Sequence, residues 1–370
     1  MANTFLTPTD VVRDAALILN DELLVANLAV RSLEQNFARK VGDTVYVKTP
    51  PVITGANTFT STTSATNVTE VRTAVTLQKH YYVRVDLTSD ELTEQLDDFN
   101  TVVVQPAVRG MVRTIEAYLL GRLAGGFARN VSGTQGTSAS TQAHILAAEK
   151  VIYANRGDVS NLVSVISPTV HASLAALAQF TSADYGTDRP AGLTNNTLGK
   201  LAGIQFYRSP NVTSLTRGDI SGSVTASGTA ANAYCSLASL TSATGTVYEG
   251  CRFVVAGDAT VYTVTADTAI ASNAVASLPI TPVLASSPST AAVTFQTAVT
   301  QDVIYNPAAF AVAIVPGAIV GPNVAAATVN GVGLRIISDV STSTLTGSWV
   351  FDCYVGGRVV MNEYGAIMQG

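Results

Sequence analysis

Residues 71–87 alternate without interruption. The odd positions read Val71, Thr73, Val75, Leu77, Lys79, Tyr81, Val83, Val85 and Leu87. The even positions read Arg72, Ala74, Thr76, Gln78, His80, Tyr82, Arg84 and Asp86. A period of two with one apolar side is the mark of a half-buried strand. At about 3.3 Å per residue, a single strand of this length extends roughly 55 Å. Ordinary strands stop near about six residues. A compact domain does not bury so long a ribbon, so its far end is expected to project and be covered by another molecule. The chain reads as one built to assemble.

Composition agrees. Charged residues make up only 13% of the 370 and apolar ones 47%, which suits a surface covered by neighbours. Residues 1–217 hold 18 acids and 18 bases, whereas 218–370 hold eight acids and three Arg, the whole source of the net charge of −5. No basic run of the kind that tracks phosphates is present, which argues against sequence-specific nucleic-acid binding. Residues 303–334 carry no charge, yet Pro307, Pro316 and Pro322 with Gly317, Gly321, Gly331 and Gly333 break any spanning helix. The start lacks a signal-type pattern, so a soluble, cytosolically made chain without a membrane partner is expected. Cys235, Cys251 and Cys353 read as buried thiols, with a Cys235–Cys251 bridge as the alternative.

Helical spacing begins after Pro8, with Thr9 as the expected N-cap, and Asn20-Asp21 is the expected break between two helices over 9–36. Residues 44–51, with a strand over 44–48, and the ribbon 69–87 form a long hairpin with the polar stretch 52–70 at its end. Thr88 and Glu91 make a capping box for a helix carrying Asp90, Glu91, Glu94, Asp97 and Asp98. After Pro106, Val108, Met111, Val112, Ile115, Leu119 and Leu123 mark a long helix ending at Gly125-Gly126. Residues 140–212 alternate helix and strand. Residues 218–300 are rich in Ser, Thr, Ala, Val and Gly and read as a separate all-β module. From 302 the mixed texture resumes and closes on a hairpin of 334–340 with 346–355.

Enzyme chemistry finds no anchor. GLTNNTLGK (192–200) has six residues between its glycines instead of four and no hydroxyl after the Lys, so it fails as a phosphate loop. His80, His144 and His171 are scattered, with no metal or triad spacing. No catalytic, cofactor-binding or metal-ligating residues are expected.

The phrases VGDTVYVKTPP, GIQFYRSPN, NPAAFAVA and GLRIISDVSTST…VFDCYVGGRVVMNEYG, in this order, resemble those of a tailed-bacteriophage major capsid (coat) protein of the Hong Kong 97 shell fold. The likeness is to short-tailed-phage coat proteins with an inserted β domain. It implies an α+β chain with an N-terminal arm (1–43), an extended E-loop hairpin (44–87) and a peripheral domain with a spine helix (88–139). The axial domain is then 140–217 and 300–335, the inserted β domain 218–299, and the peripheral return 336–370.

The function so implied is self-assembly of pentamers and hexamers into an icosahedral head shell around double-stranded DNA in the virion, without sequence-specific binding. A separate scaffolding protein and a portal are implied partners, with a decoration protein as an optional one. An encapsulin-type compartment shell and a β-rich surface adhesin are the alternatives. Some relatives weld their subunits through an E-loop Lys, but no Lys lies between Lys48 and Lys79, so no covalent cross-link is expected. Expected intersubunit contacts are Val71, Val75 and Leu77 on the hairpin and Trp349 near the chain's end. Arg109 and Arg113 are expected to meet a neighbour's Asp97 and Asp98, solvated charges being the alternative.

Overall fold

The computed structural model describes residues 8–31, 42–49, 71–88, 103–128, 130–132, 139–177, 200–212, 220–258, 260–295, 301–321, 323–341 and 346–369. Helices α1 (Pro8–Glu22) and α2 (Leu24–Asn27) come first. Strands β1 (Thr44–Thr49), β2 (Val71–Thr76) and β3 (Lys79–Thr88) follow, then the long helix α3 (Gln105–Gly126). The middle holds β4 (Val131–Ser132), α4 (Gln142–Ala154), β5 (Val163–Ile166), α5 (Pro168–Ala175), β6 (Lys200–Leu201) and β7 (Ile204–Arg208). Strands β8 (Thr225–Ser227), β9 (Tyr234–Ala238), β10 (Thr244–Val247) and β11 (Arg252–Val255) come next. They continue as β12 (Val261–Val264), β13 (Thr268–Ala271), β14 (Val275–Thr281) and β15 (Ala291–Phe295). The last strands are β16 (Asp302–Tyr305), β17 (Phe310–Val315), β18 (Val324–Val329), β19 (Val332–Ser341), β20 (Thr346–Val359) and β21 (Gly365–Met368).

These elements divide into two compact units, Met1–Ile115 with Phe310–Met361 and Glu116–Ala309 with Asn362–Gly370. The expected long helix is present and begins one residue before Pro106. Thr9 lies inside the first turn of α1, not at its cap, and the helix breaks at Leu23, not at Asn20-Asp21. Leu23 is extended and fully buried, so packing fixes the break rather than the polar pair before it.

The first unit is built on a five-stranded sheet of order β18-β19-β17-β20-β3, in which β19 also pairs with β20. Strand β20 has 14 residues; its first half meets β19 and its second half meets β17, while β3 runs along its other edge. One sheet thus joins 310–315 to 346–359 across the boundary expected at 335/336. Helix α1 packs on β18 and β19, with Val12, Ala15, Ala16 and Leu19 fully buried, and on the sheet Leu334, Ile336, Phe351 and Cys353 of one face are fully buried. Spacing of three and four along α1 places those four side chains on one side.

The single ribbon expected over 71–87 is two strands. The ladder of β2 with β1 runs from Thr49↔Val71 to Thr44↔Thr76 and continues where Leu77 N–H donates to Asp43 O (2.9 Å). Gln78 N–H then donates to Val355 O (3.1 Å), and β3 continues on β20. Val75 and Leu77 pack against Ala311, Ala313 and Val315 on one side of the sheet, with Val45, Val47 and Tyr354 around them. Val83 and Val85 instead face the helix-covered side, opposite Phe351 and Trp349. One alternation therefore serves two cores, and Val75 and Leu77 are buried by their own chain. The hairpin comes this close because Gly356 has no side chain: a Cβ there would sit 2.4 Å from Thr76 O. The expected polar tip (52–70) and the helix carrying Asp97 and Asp98 lie outside the described residues.

The second unit has a six-stranded mixed sheet of order β4-β21-β16-β5-β7-β6. Ile145, Ala148 and Ile152 of α4 and Val170 and Leu174 of α5 pack on Ile166, Ile204, Ile304 and Met368 of that sheet. The chain leaves the sheet after β7 and re-enters at β16. Between them β11-β12-β14-β9-β8-β15 close into a barrel, flanked by the pair β10-β13. The barrel has its own core around Leu237, Phe253, Tyr262, Leu278 and Ile280. Cys235, Cys251 and Cys353 are all buried free thiols, as expected, and burial pushes Cys235 up to about 12.

Asp302 opens β16 and is fully buried. Its Oδ1 accepts from the backbone N–H of Ser167, the residue that caps α5, while Oδ2 has no partner among the described residues. Burial pushes this carboxyl up to about 6, against the pull of the Ser167 bonds. Because the folded value lies above the ordinary 3.8, ionisation costs the fold ~3 kcal/mol above about pH 6, and that cost fades as pH falls towards 4. Asp302→Asn keeps the Oδ1 acceptor without the charge. In urea it should be more stable than wild type by up to ~3 kcal/mol near about pH 8, with the gap closing by about pH 4. A variant equally or less stable at the higher pH contradicts this reading of the site.

Candidate functional site

The sheet of the first unit has one face under α1 and a second face only half covered. Register defines the second face: His80, Tyr82, Arg84 and Asp86 of β3 stand opposite Tyr354, Asp352, Val350 and Ser348 of β20. Asp352, Val350 and Ser348 in turn stand opposite Arg335, Ile337 and Asp339 of β19. The β1–β2 hairpin covers the end at β17. The rest is open, with Tyr82 66% exposed and Arg84, Asp86 and Asp339 also exposed.

A buried ionic fork anchors this open half. Asp352 is 2% exposed in its side chain and Arg335 is 14% exposed. Arg335 Nε donates to Asp352 Oδ1 at 2.8 Å, and its Nη2 donates to Oδ2. A planar guanidinium matches a carboxylate in this two-pronged way, which a Lys cannot do. The same Oδ2 lies 2.9 Å from His80 Nε2, and the His80 ring stacks on Tyr354 with centroids 4.4 Å apart. Arg335 also donates through Nη1 to Ala318 O (2.7 Å), tying the loop after β17 to the sheet. Its hydrogen bonds to Asp352 hold its pKa above the ordinary value. Nearer the hairpin end of β20, Arg84 Nε donates to Asp86 Oδ1 (2.7 Å) and Ser348 Oγ donates to the same oxygen, which holds the Asp86 carboxyl below its usual range. Arg84 and Asp86 are half exposed, so this pair fixes geometry and adds little stability.

The structure disperses the expected contact residues. Val75 and Leu77 are fully buried inside their own unit and are corrected from intersubunit to internal contacts, because the strand breaks and seats on β17. Val71 pairs with Thr49 at the far end of the hairpin. Arg109 reaches Glu22 of its own chain at 2.7 Å, and Arg113 is exposed two turns from the start of α3. Their expected partners Asp97 and Asp98 lie outside the described residues. Trp349 is half-buried on the helix-covered face, between Ser338 and Val85. The residues that organise the open face, Arg335, Asp352 and His80, were missed. The available signal was a charged residue at the centre of each apolar run, LRII and FDCY.

Among the described residues no cluster of three or more His, Cys, Asp or Glu could hold a metal, and no helix is long and apolar enough to cross a membrane. No protein-family model and no curated protein matches this chain. Among solved structures it is similar to that of Mycobacterium phage Che8, at 15% identity and a TM-score of 0.52, over 93% of this chain and 90% of that one. The chain has the α+β fold of the Che8 structure. The capsid of the Cyanophage P-SCSP1u aligns at 12% identity and a TM-score of 0.48, over 92% of this chain and 85% of that one. The capsid of an empty GTA particle aligns at 11% identity and 0.47, over 99% and 91%.

Removing one partner of the fork strands the other. Asp352→Ala should lower unfolding stability by about 3 kcal/mol, the low end for a broken buried pair, whereas Arg335→Met with Asp352→Leu should recover most of it. Denaturant titration measures both, and a single variant within about 0.5 kcal/mol of wild type would contradict the anchoring role.

Proposed function

We propose that this chain is the major capsid protein of a tailed bacteriophage and self-assembles into the icosahedral head shell enclosing double-stranded DNA. The observation that carries this is the fold shared with the Che8 phage structure over nearly the whole chain. The ordered coat-like phrases, from VGDTVYVKTPP to the closing hairpin, support it independently. In this reading the strands 225–295 are an inserted barrel domain. The chain forms pentamers and hexamers with a separate scaffolding protein and a portal, and a decoration protein is an optional addition. DNA is enclosed rather than gripped, in keeping with the net charge of −5.

The open half of the sheet face is where a neighbouring copy contributes cover. Each such contact is modest. A closed shell repeats it many times, so no single contact has to be strong. An encapsulin-type compartment is not favoured, since both the coat phrases and the Che8 fold point to phage. An adhesin would account for the barrel alone, and no residues support an enzyme.

Concentrated purified chain, viewed by negative-stain microscopy and sedimented, should give closed particles or ring-shaped capsomers of uniform size. Particles recovered from infected cells should hold nuclease-protected DNA. A chain that stays monomeric at every concentration and also yields no particles from infected cells overturns the shell reading, and particles filled with protein cargo instead of DNA favour the compartment.

A further inference from the structure

The uncharged run 303–334 is explained by burial at β16 and β17, both wholly buried, but not in the loop that follows. There Ile319 is 56% exposed and Val320 75%, the latter the highest exposure among the large apolar side chains described. Exposed aliphatics on a loose loop would mean little. This loop is held at both ends.

On one side Gly317 lies against the Arg335 guanidinium, where a Cβ would come within 2.4 Å of Cζ, and Ala318 O accepts from Arg335 Nη1. Arg335 is itself fixed by its fork on buried Asp352. On the other side Asn323 O accepts from Ser338 N–H at 3.0 Å and from Ser338 Oγ at 3.3 Å. Gly321 turns the chain with φ +97°, a conformation that favours glycine. Ile319 and Val320 thus lie between two points at which the chain is tied to the sheet.

We propose that Ile319 and Val320 form an aliphatic knob that seats in an apolar socket on a second copy of this chain. This rests on the shell reading above. Two other occupants fit less well. A lipid surface is attracted by Lys or Arg around the apolar tip, whereas this run carries no charge and the adjacent Arg335 is already committed to Asp352. An independent soluble partner needs roughly 800 Å² of contact from each side, far more than two aliphatic side chains supply. A contact that small is useful where it recurs around a closed assembly, which selects another copy.

The three native thiols are buried, so Val320→Cys places a single accessible thiol on the knob. Its maleimide labelling should be at least about tenfold slower in assembled shells than in the dissociated chain. Ile319→Ser with Val320→Ser should unfold like wild type, yet need at least about tenfold more protein to assemble. Labelling at equal rates in the two states, or assembly of the double variant at the wild-type threshold, overturns the knob. A wild-type chain that forms no shells even in infected cells instead sinks the shell reading itself.

Discussion

The first unit depends on what happens at Leu77 and Gln78. Up to Leu77 the strand's backbone bonds go to the hairpin partner at Asp43; from Gln78 they go to β20. That exchange turns one run of alternating residues into a seated hairpin and a sheet edge, and lets each use its apolar side. Val75 and Leu77 close over Ala311, Ala313 and Val315, while Val83 faces Phe351. The seat exists because Gly356 allows the hairpin backbone to touch the sheet. Half of the sheet face is thereby sealed from within. The other half is left to Tyr82, Arg84, Asp86 and the Arg335–Asp352 fork.

Much of this was legible in the sequence. The alternation at 71–87 gave extended backbone with the right inner side, and the spacing from Val108 to Leu123 gave the long helix. The change of texture after Arg217 marked the region that closes into a barrel. What the sequence did not carry was the break. A strand that changes partner keeps its period of two, so pattern alone cannot tell one long ribbon from two strands in two cores. Prediction from length thus put Val75 and Leu77 at an interface between copies, and the structure puts them inside one. The anchoring fork was hidden for a similar reason. A lone Arg in GLRII and a lone Asp in VFDCY look like interruptions until the β19–β20 register sets them side by side.

The same economy holds in both units: charge is sparse, and two buried charged groups each fix a chain segment. Arg335 fastens a loop to the sheet, and Asp302 takes the backbone N–H of Ser167 where α5 begins. Such groups cost free energy to bury, and replacing them with apolar pairs is often neutral for stability alone. Their effect is positional.

Amide hydrogen exchange of the unassembled chain tests the seated hairpin most directly. The account predicts slow exchange at the Leu77 and Gln78 amides, comparable to the β17 and β20 amides of the same sheet, before any shell forms. Exchange at the rate of unstructured peptide, slowing only on assembly, would restore the projecting ribbon and contradict the seat.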